Sequence, residues 1–236
     1  MISIQNILRY GRQMQLPEIG EAGQEKLLNA KVLVIGAGGL GSPVLQYLSA
    51  AGVGTLGIVD FDRVELHNLH RQILYNETHV GSYKSETAKA VLQQLNPATN
   101  LIVYNEKLTA ENCENLLVDF DVIVDGCDNF TTRYIVNDCC VKLGKPLVYG
   151  SIFKNEGQLA LFNHNGSKNL RDIFPEPPNP EDVPNCSLNG VIGTLPGIIG
   201  TMMAHETIKI IAGLPTLNNE LLLFNTLHWN FTKLTF

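Results

Sequence analysis

Short apolar runs rich in β-branched residues alternate along the chain with longer stretches of helical period. Such runs are typical of buried strands, and strands that alternate with helices predict a mainly parallel α/β sheet. The predicted strands cover residues 32–35, 55–59, 101–104, 122–124, 146–149 and 158–162. The predicted helices cover residues 40–51, 82–95, 110–118, 130–143 and 191–212. Ser82 is expected to cap the helix that it begins.

The two ends of the chain depart from this alternation. Residues 1–30 predict a helical preface, with residues 9–13 between two helices. Residues 220–225 and 227–235 predict a pair of antiparallel strands at the other end. We therefore expect a Rossmann-like, mainly parallel twisted sheet that antiparallel C-terminal strands extend. Without an internal repeat or a separating linker, a single domain is expected over all 236 residues.

One long segment, residues 163–189, has no apolar periodicity and contains five prolines. Segments of this length without regular structure are uncommon in compact domains and usually carry a function. We therefore expect a functional loop here rather than a further element of the sheet.

Composition narrows the class of protein. A net charge of −6 argues against a nucleic-acid-binding protein, which would present a basic face. The longest uncharged apolar stretch, residues 190–204, is too short to span a membrane and contains Pro196. The N-terminus has no signal-peptide core. The five cysteines form no C-x-x-C pair, which favours a reduced, cytoplasmic compartment over a disulfide framework.

A glycine-rich turn joins the first strand to the first helix of the alternating region. It contains four glycines: Gly36, Gly38, Gly39 and Gly41. Glycines allow the backbone to approach a phosphate, and the helix N-terminus offers free N–H groups to it. Asp60 ends the next strand, 19 residues beyond Gly41, where a ribose hydroxyl would need an acceptor. Strand, turn, helix, strand and acid together predict a nucleotide site.

The glycine turn alone does not separate a dehydrogenase from other users of nucleotides. A triphosphate requires several cations and a carboxylate that binds a metal ion. Arg71 and Lys84 follow the turn, although each is equally compatible with a solvated surface charge. Asp128 follows the fourth strand, at the sheet edge where ligands of open α/β folds bind. Either Asp128 or Asn129 would also cap the helix over 130–143.

Six motifs occur in a fixed order and cover essentially the whole chain. They are Arg-Tyr-x-Arg-Gln, Gly-x-Gly-Gly-Leu-Gly, the Asp60-x-Asp62 pair, Asn-Leu-x-Arg-Gln, Gly-x-x-Lys and Cys-Asp-Asn. On these motifs the chain resembles the ThiF/MoeB/HesA enzymes, bacterial relatives of the ubiquitin-activating enzyme. The resemblance implies ATP- and Mg²⁺-dependent adenylation of the C-terminal Gly-Gly carboxylate of a ubiquitin-like β-grasp sulfur-carrier protein. Such a reaction serves thiamine or molybdopterin synthesis.

The resemblance also implies roles for individual residues. Asp60 would hold the ribose, Asp128 would bind Mg²⁺, and Arg12 would reach the ATP of the partner subunit in a homodimer. Phosphate-facing residues would be Asn68, Arg71 and Lys84. The implied nucleotide-binding set is Gly36, Gly38, Gly39, Gly41, Asp60, Asp62, Asn68, Arg71, Gln72, Lys84, Asp128 and Asn129.

Two features depart from the family pattern. Many members hold zinc with two C-x-x-C pairs, whereas residues 167–171 here read Ser-Lys-Asn-Leu-Arg and no second pair follows, so no zinc is expected. The C-terminal hairpin would then be held by packing of Leu227, Trp229 and Phe231 on one face. Cys186 lies in the expected crossover loop, where some members use a cysteine that joins covalently to the carrier. It is equally compatible with an unremarkable loop cysteine.

Two other functions fit part of the pattern. An NAD(P)-linked oxidoreductase would use the glycine turn but would leave Arg71, Lys84 and Asp128 without roles. A non-catalytic subunit of an activating enzyme would not need those three residues. The full set therefore favours an active adenylyltransferase.

Overall fold

The computed structural model describes residues 2–178 and 190–236, and one eight-stranded sheet forms its centre. The strands are β1 (Lys31–Ile35), β2 (Thr55–Val59), β3 (Asn100–Tyr104), β4 (Val122–Asp125), β5 (Leu147–Phe153), β6 (Glu156–Phe162), β7 (Glu220–Asn225) and β8 (Asn230–Thr235). Their order in the sheet is β3-β2-β1-β4-β5-β6-β7-β8. Pairing is parallel from β3 to β5 and antiparallel from β5 to β8. The expected α/β fold with an antiparallel extension is confirmed.

Helices cover both faces of this sheet. They are α1 (Ile4–Met14), α2 (Gly20–Asn29), α3 (Gly41–Ala51), α4 (Lys84–Leu95), α5 (Cys113–Leu117), α6 (Phe130–Leu143), α7 (Leu170–Ile173) and α8 (Thr194–Ala212). In β1, Val32 and Val34 belong to a core with α2, α3, α4 and α8, whereas Leu33 and Ile35 belong to a core with α5, α6 and α7. Burial on both faces explains the continuous apolar runs. Among residues 2–178 and 190–236, no helix is long and apolar enough to cross a membrane.

This topology creates a crevice at the carboxyl ends of the strands. β1 pairs with β2 on one side and with β4 on the other, so the chain leaves β1 in one direction and later returns to its opposite side. Ligands of open α/β sheets bind where the strand order reverses in this way. The glycine turn after β1, Asp60 after β2 and Asp128 after β4 all lie at this edge.

Some predicted boundaries are wrong at the N-terminal half. Residues 9–13 lie inside α1 rather than between helices, because Tyr10 is buried and its hydroxyl accepts a hydrogen bond from Asn96 Nδ2 at 2.8 Å. This packing outweighs the cost of about 1 kcal/mol for a glycine within a helix. Ser82 does not cap a helix: α4 begins at Lys84, and Tyr83 precedes it without a side-chain cap. The helix predicted over 110–118 is limited to α5.

The C-terminal hairpin also differs from the prediction. Residues 226–229 form a turn, in which Asn225 Oδ1 accepts hydrogen bonds from the backbone N–H groups of Leu227 and His228. Leu227 and Trp229 lie in this turn and are 66% and 73% exposed, so the expectation that they align with Phe231 on one strand face is wrong. The rings of Trp229 and Phe231 nevertheless both pack on Phe224, with centroids 5.9 and 4.2 Å from it.

Candidate functional site

The crevice is a cleft of about 1580 Å³. Of the residues singled out from the sequence, those that line it are Gly36, Gly38, Gly39, Asp60, Asp62, Asn68, Arg71, Gln72, Lys84, Asp128 and Asn129. Gly41 and Arg12 do not line it. Cys186 and residues 179–189 of the expected crossover loop lie outside the described residues.

The glycine turn is built by close contacts that side chains would block. Gly36 has a φ of +85°, which favours glycine, and a Cβ there would lie 3.0 Å from the carbonyl oxygen of Gly126. A Cβ on Gly41 would lie 1.9 Å from the carbonyl oxygen of Gly36. Gly41 therefore closes the turn and does not line the cleft. No side chain caps α3, so the positive end of its dipole is left to the cleft.

Asp60 is fixed at the end of β2 by two backbone donors. Its Oδ2 accepts from the N–H of Ala37 and its Oδ1 from the N–H of Asp62, both at 2.8 Å. The carboxyl is 8% exposed, and burial raises its pKa above the ordinary value, which the nearby Lys84 partly offsets. Each oxygen retains acceptor capacity, so a rigid acceptor faces the cleft at the position expected for ribose.

Lys84 has a buried side chain with one ionic partner among the described residues. Its side chain is 7% exposed, and Nζ lies 2.9 Å from Asp62 Oδ2, so the surface-charge interpretation is wrong for this residue. An ammonium has three donors, and the exposed Asp62 occupies one of them. The hydroxyl of Tyr75, which the sequence analysis missed, connects the carbonyls of Ala37 and Lys84 at 2.8 and 3.2 Å.

Arg71 is half-buried beside the glycine turn. Its Nη1 lies 3.1 Å from the carbonyl oxygen of His67, to which it donates, and 2.8 Å from Nε2 of His70. These two contacts orient the guanidinium through one of its nitrogens. A guanidinium held in this way suits bidentate binding of a phosphate.

Asn68 and Gln72, on either side of Arg71 in the sequence, bring buried side-chain amides to the cleft. Asn68 Oδ1 accepts from the N–H of Glu65 at 3.2 Å, which closes a short 3₁₀ helix. Gln72 is 5% exposed, and its Oε1 has no hydrogen-bond partner among the described residues. A buried polar atom left unpaired beside the glycine turn fits a site that is completed by a polar ligand or water.

The loop after β4 contains Asp128 and Asn129, and the sequence did not decide which of them caps α6. Asn129 Oδ1 accepts from the N–H of Thr132 at 2.9 Å, so Asn129 is the cap of α6. Asp128 is exposed in the cleft, and its carboxylate makes no hydrogen bond with a described residue. An exposed carboxylate in a cleft that Arg71 and Lys84 also line is an oxygen donor of the kind that Mg²⁺ prefers. The residues present therefore fit both a polyphosphate and a magnesium ion.

Arg12 lies on the last turn of α1, exposed and outside this cleft. The same helix exposes Ile4 and Leu8, which are 78% and 82% accessible. Positions 4, 8 and 12 follow one face of the helix. The cleft of this chain is thus formed without Arg12.

Comparisons with known proteins agree with this geometry. A family model described as the ThiF family matches residues 10–236. The chain is 50% identical over 233 residues to the sulfur carrier protein adenylyltransferase of Thermus thermophilus, which covers 96% of this chain and 86% of that protein. It is 49% identical over 229 residues to the adenylyltransferase and sulfurtransferase MOCS3 of Culex quinquefasciatus, which covers 97% of this chain. The chain spans about half the length of that relative, 52%.

Solved structures share the fold. Escherichia coli MccB with MccA-N7isoASN superposes with a TM-score of 0.86 at 22% identity, over 99% of this chain and 72% of that one. PaaA superposes with a TM-score of 0.85 at 22% identity, over 99% of this chain and 74% of that one. The family match spans nearly the whole chain and includes every element that builds the cleft. The chain therefore belongs to the ThiF family.

Proposed function

We propose that this chain is an adenylyltransferase that activates the C-terminal Gly-Gly carboxylate of a ubiquitin-like sulfur-carrier protein with ATP. The observation that carries the proposal is the cleft in which Arg71, Lys84 and Asp128 surround a glycine turn. The pyrophosphate group of a dinucleotide is held largely by backbone N–H groups. The triphosphate of ATP requires cations and a metal-binding carboxylate as well. The names of the two relatives, both adenylyltransferases, support the same function.

The proposed reaction joins an oxygen of the carrier carboxylate to the α-phosphorus of ATP. The bond from that phosphorus to the bridging oxygen breaks, and the electron pair leaves with pyrophosphate. This displacement needs positioning and neutralisation of charge rather than a protein nucleophile. Lys84 and Arg71 supply fixed positive charge, and Asp60 orients the ribose. Mg²⁺, when held by Asp128, would neutralise phosphate charge further.

The exposed face of α1 supports a homodimer with composite sites. Ile4 and Leu8 form an apolar strip that continues to Arg12, and a partner subunit would cover it. In a two-fold dimer the same contact occurs twice, so Arg12 of each subunit would enter the site of the other. This arrangement gives an exposed arginine outside its own cleft a role in catalysis.

Several finer assignments belong to the same proposal. The carrier would serve thiamine or molybdopterin synthesis, and the protein would act in the cytoplasm without zinc. Cys186 would act after adenylation: its thiolate would attack the acyl carbon of the carrier adenylate, the acyl–phosphate bond would break, and a thioester would form as AMP leaves. These assignments rest on the family resemblance and on the cysteine pattern of the sequence.

The decisive measurement is ATP–pyrophosphate exchange with the β-grasp carriers of the thiamine and molybdopterin pathways. We expect exchange with a carrier that ends in Gly-Gly and none with the same carrier lacking these two residues. Lys84→Met should abolish exchange, whereas Lys142→Met, which removes an exposed lysine on α6 outside the cleft, should not. ATP binding without exchange with either carrier would favour a non-catalytic subunit, and NAD(P) binding without exchange would favour an oxidoreductase.

A further inference from the structure

A buried arginine lines the cleft next to the loop that carries Asp128. Arg133, on α6, is 5% exposed; its Nη2 donates to the carbonyl oxygen of Cys127 at 2.7 Å and its Nη1 to that of Gly150 at 2.8 Å. The guanidinium also lies over the ring of Tyr149, 4.8 Å from its centroid. Arg133 therefore connects the loop after β4 to β5, the neighbouring strand.

Asp125, the last residue of β4, supplies the opposite charge. It is fully buried, and its Oδ1 accepts from the N–H of Cys127 at 3.0 Å. Its Oδ2 lies 3.9 Å from Arg133 Nη1 and has no hydrogen-bond partner within the described ranges. Burial alone would lower the pKa of Arg133, but the nearby Tyr149 and Asp125 raise it above its ordinary value, so the arginine stays charged.

These contacts restrain the backbone on both sides of Asp128. Cys127 is held through its N–H by Asp125 and through its carbonyl by Arg133. Asn129 is held as the cap of α6. Asp128 lies between these two residues, and its exposed carboxylate has no hydrogen-bond partner among the described residues.

Stability alone does not explain this pair. Buried ion pairs commonly contribute no more than apolar side chains of the same volume, because both charges lose their hydration. Asp125 Oδ2 in addition accepts no hydrogen bond from the described residues, which is costly for a buried carboxylate. The energetic cost of burying Asp125 and Arg133 is consistent with a need to fix the geometry of the loop that carries Asp128.

We propose that Asp125 and Arg133 are positioning residues that aim the Asp128 carboxylate at the metal and phosphates, and that Arg133 acts through the Cys127 carbonyl. Arg133 lines the cleft, but both of its terminal nitrogens already donate to backbone carbonyls, so this role does not require contact with substrate. The inference rests on the proposed function, in which Asp128 binds Mg²⁺. It adds that the buried pair sets how well that ion is bound.

The test compares three full-length variants. Arg133→Lys keeps the charge but loses the planar fork that reaches two carbonyls, and Arg133→Met loses both. The control is Asn137→Ala, one helical turn further along α6. Asn137 is buried and accepts from the N–H of Leu170 at 2.9 Å, so its loss loosens contacts to α7 without touching Cys127. Thermal melting confirms that each variant is folded.

Two measurements distinguish positioning from a general loss of packing. The first is amide hydrogen exchange of residues 126–129 in the ligand-free chain, by mass spectrometry. Both Arg133 variants should accelerate it about tenfold to hundredfold, as for the loss of a hydrogen bond from a charged group. The second is ATP affinity with Mg²⁺ and with a chelator. Only the Mg²⁺-dependent part should weaken, by about tenfold or more for a carboxylate misplaced by about 1 Å.

The outcomes separate this inference from the function on which it rests. The positioning role is overturned if amide hydrogen exchange of residues 126–129 is unchanged in both folded Arg133 variants. It is also overturned if Asn137→Ala accelerates this hydrogen exchange equally. If the parent binds Mg²⁺ and ATP and the Arg133 variants bind them equally well, the inference fails and the proposed function stands. If the parent shows no Mg²⁺-dependent binding of ATP, the proposed function fails, and with it the metal part of the inference.

Discussion

Asp128 and Asn129 are adjacent residues of one loop, yet their truncation should have different consequences. Asp128→Ala removes an exposed carboxylate that makes no hydrogen bond with a described residue. Its effect on the free energy of unfolding should stay within about 0.5 kcal/mol, as for other surface changes. Asn129→Ala removes the cap of α6, which costs about 1 kcal/mol. In a chain of 236 residues that cost lowers Tm by roughly 2–4 °C.

Activity should follow the opposite order. Loss of the metal-binding carboxylate leaves phosphate charge uncompensated, and we expect ATP–pyrophosphate exchange to fall about 10²-fold or more in Asp128→Ala. That factor corresponds to about 2.7 kcal/mol of transition-state stabilisation. Asp128→Ala should therefore lose far more activity than Asn129→Ala while melting at a higher temperature.

The assay is exchange of labelled pyrophosphate into ATP with saturating carrier protein, combined with thermal melting of the same preparations. Circular dichroism verifies that both variants retain the parent fold. Undiminished exchange in Asp128→Ala would refute the metal assignment. A Tm for Asp128→Ala several degrees below that of Asn129→Ala would show that the capping role had been assigned to the wrong residue.

Three further predictions follow from the same geometry. If Arg12 acts across the dimer, mixing inactive Arg12→Ala and Asp128→Ala subunits should restore exchange, since each heterodimer has one intact site; no recovery after verified subunit exchange would contradict this. Gly41→Ala should lower the free energy of unfolding by about 1–3 kcal/mol, because its Cβ would lie 1.9 Å from the carbonyl oxygen of Gly36. In the same melting experiment the control Gly197→Ala should be neutral or stabilising, because a Cβ there meets open space on α8. Elemental analysis should find no zinc in the purified protein; one tightly held zinc per chain would contradict the expectation from the cysteine pattern.

Much of the sheet is predictable because its central strands are buried on both faces. β1 and β4 read as continuous apolar runs, and Gly144 ends α6 with a φ of +64°, as its position predicts. The errors arise where a distant contact overrides local preference. Gly11 disfavours a helix, but α1 continues through it because Tyr10 is buried against Asn96 and Gly52.

The candidate site divides in the same way. Asp60 and Asp128 follow strand ends, and Lys84 is a cation that follows the glycine turn, so the sequence predicts all three as site residues, and all three line the cleft. The supporting contacts are not, because their partners come from separate elements: Tyr75 joins the turn after β1 to α4, and Arg133 joins β4 to β5. For Arg133, the sequence offered one indication, which is an arginine four residues after the cap of α6.

The ion pair between Lys84 and Asp62 has a consequence for the enzyme before substrate arrives. A buried lysine without a fixed partner would sample several rotamers, and each binding event would then include ordering of that side chain. Asp62 holds Lys84 Nζ in place in the ligand-free protein, and because Asp62 is itself exposed it can be rehydrated if a phosphate replaces it. Under the proposed function, association with a polyanion would then not require Lys84 to reorder.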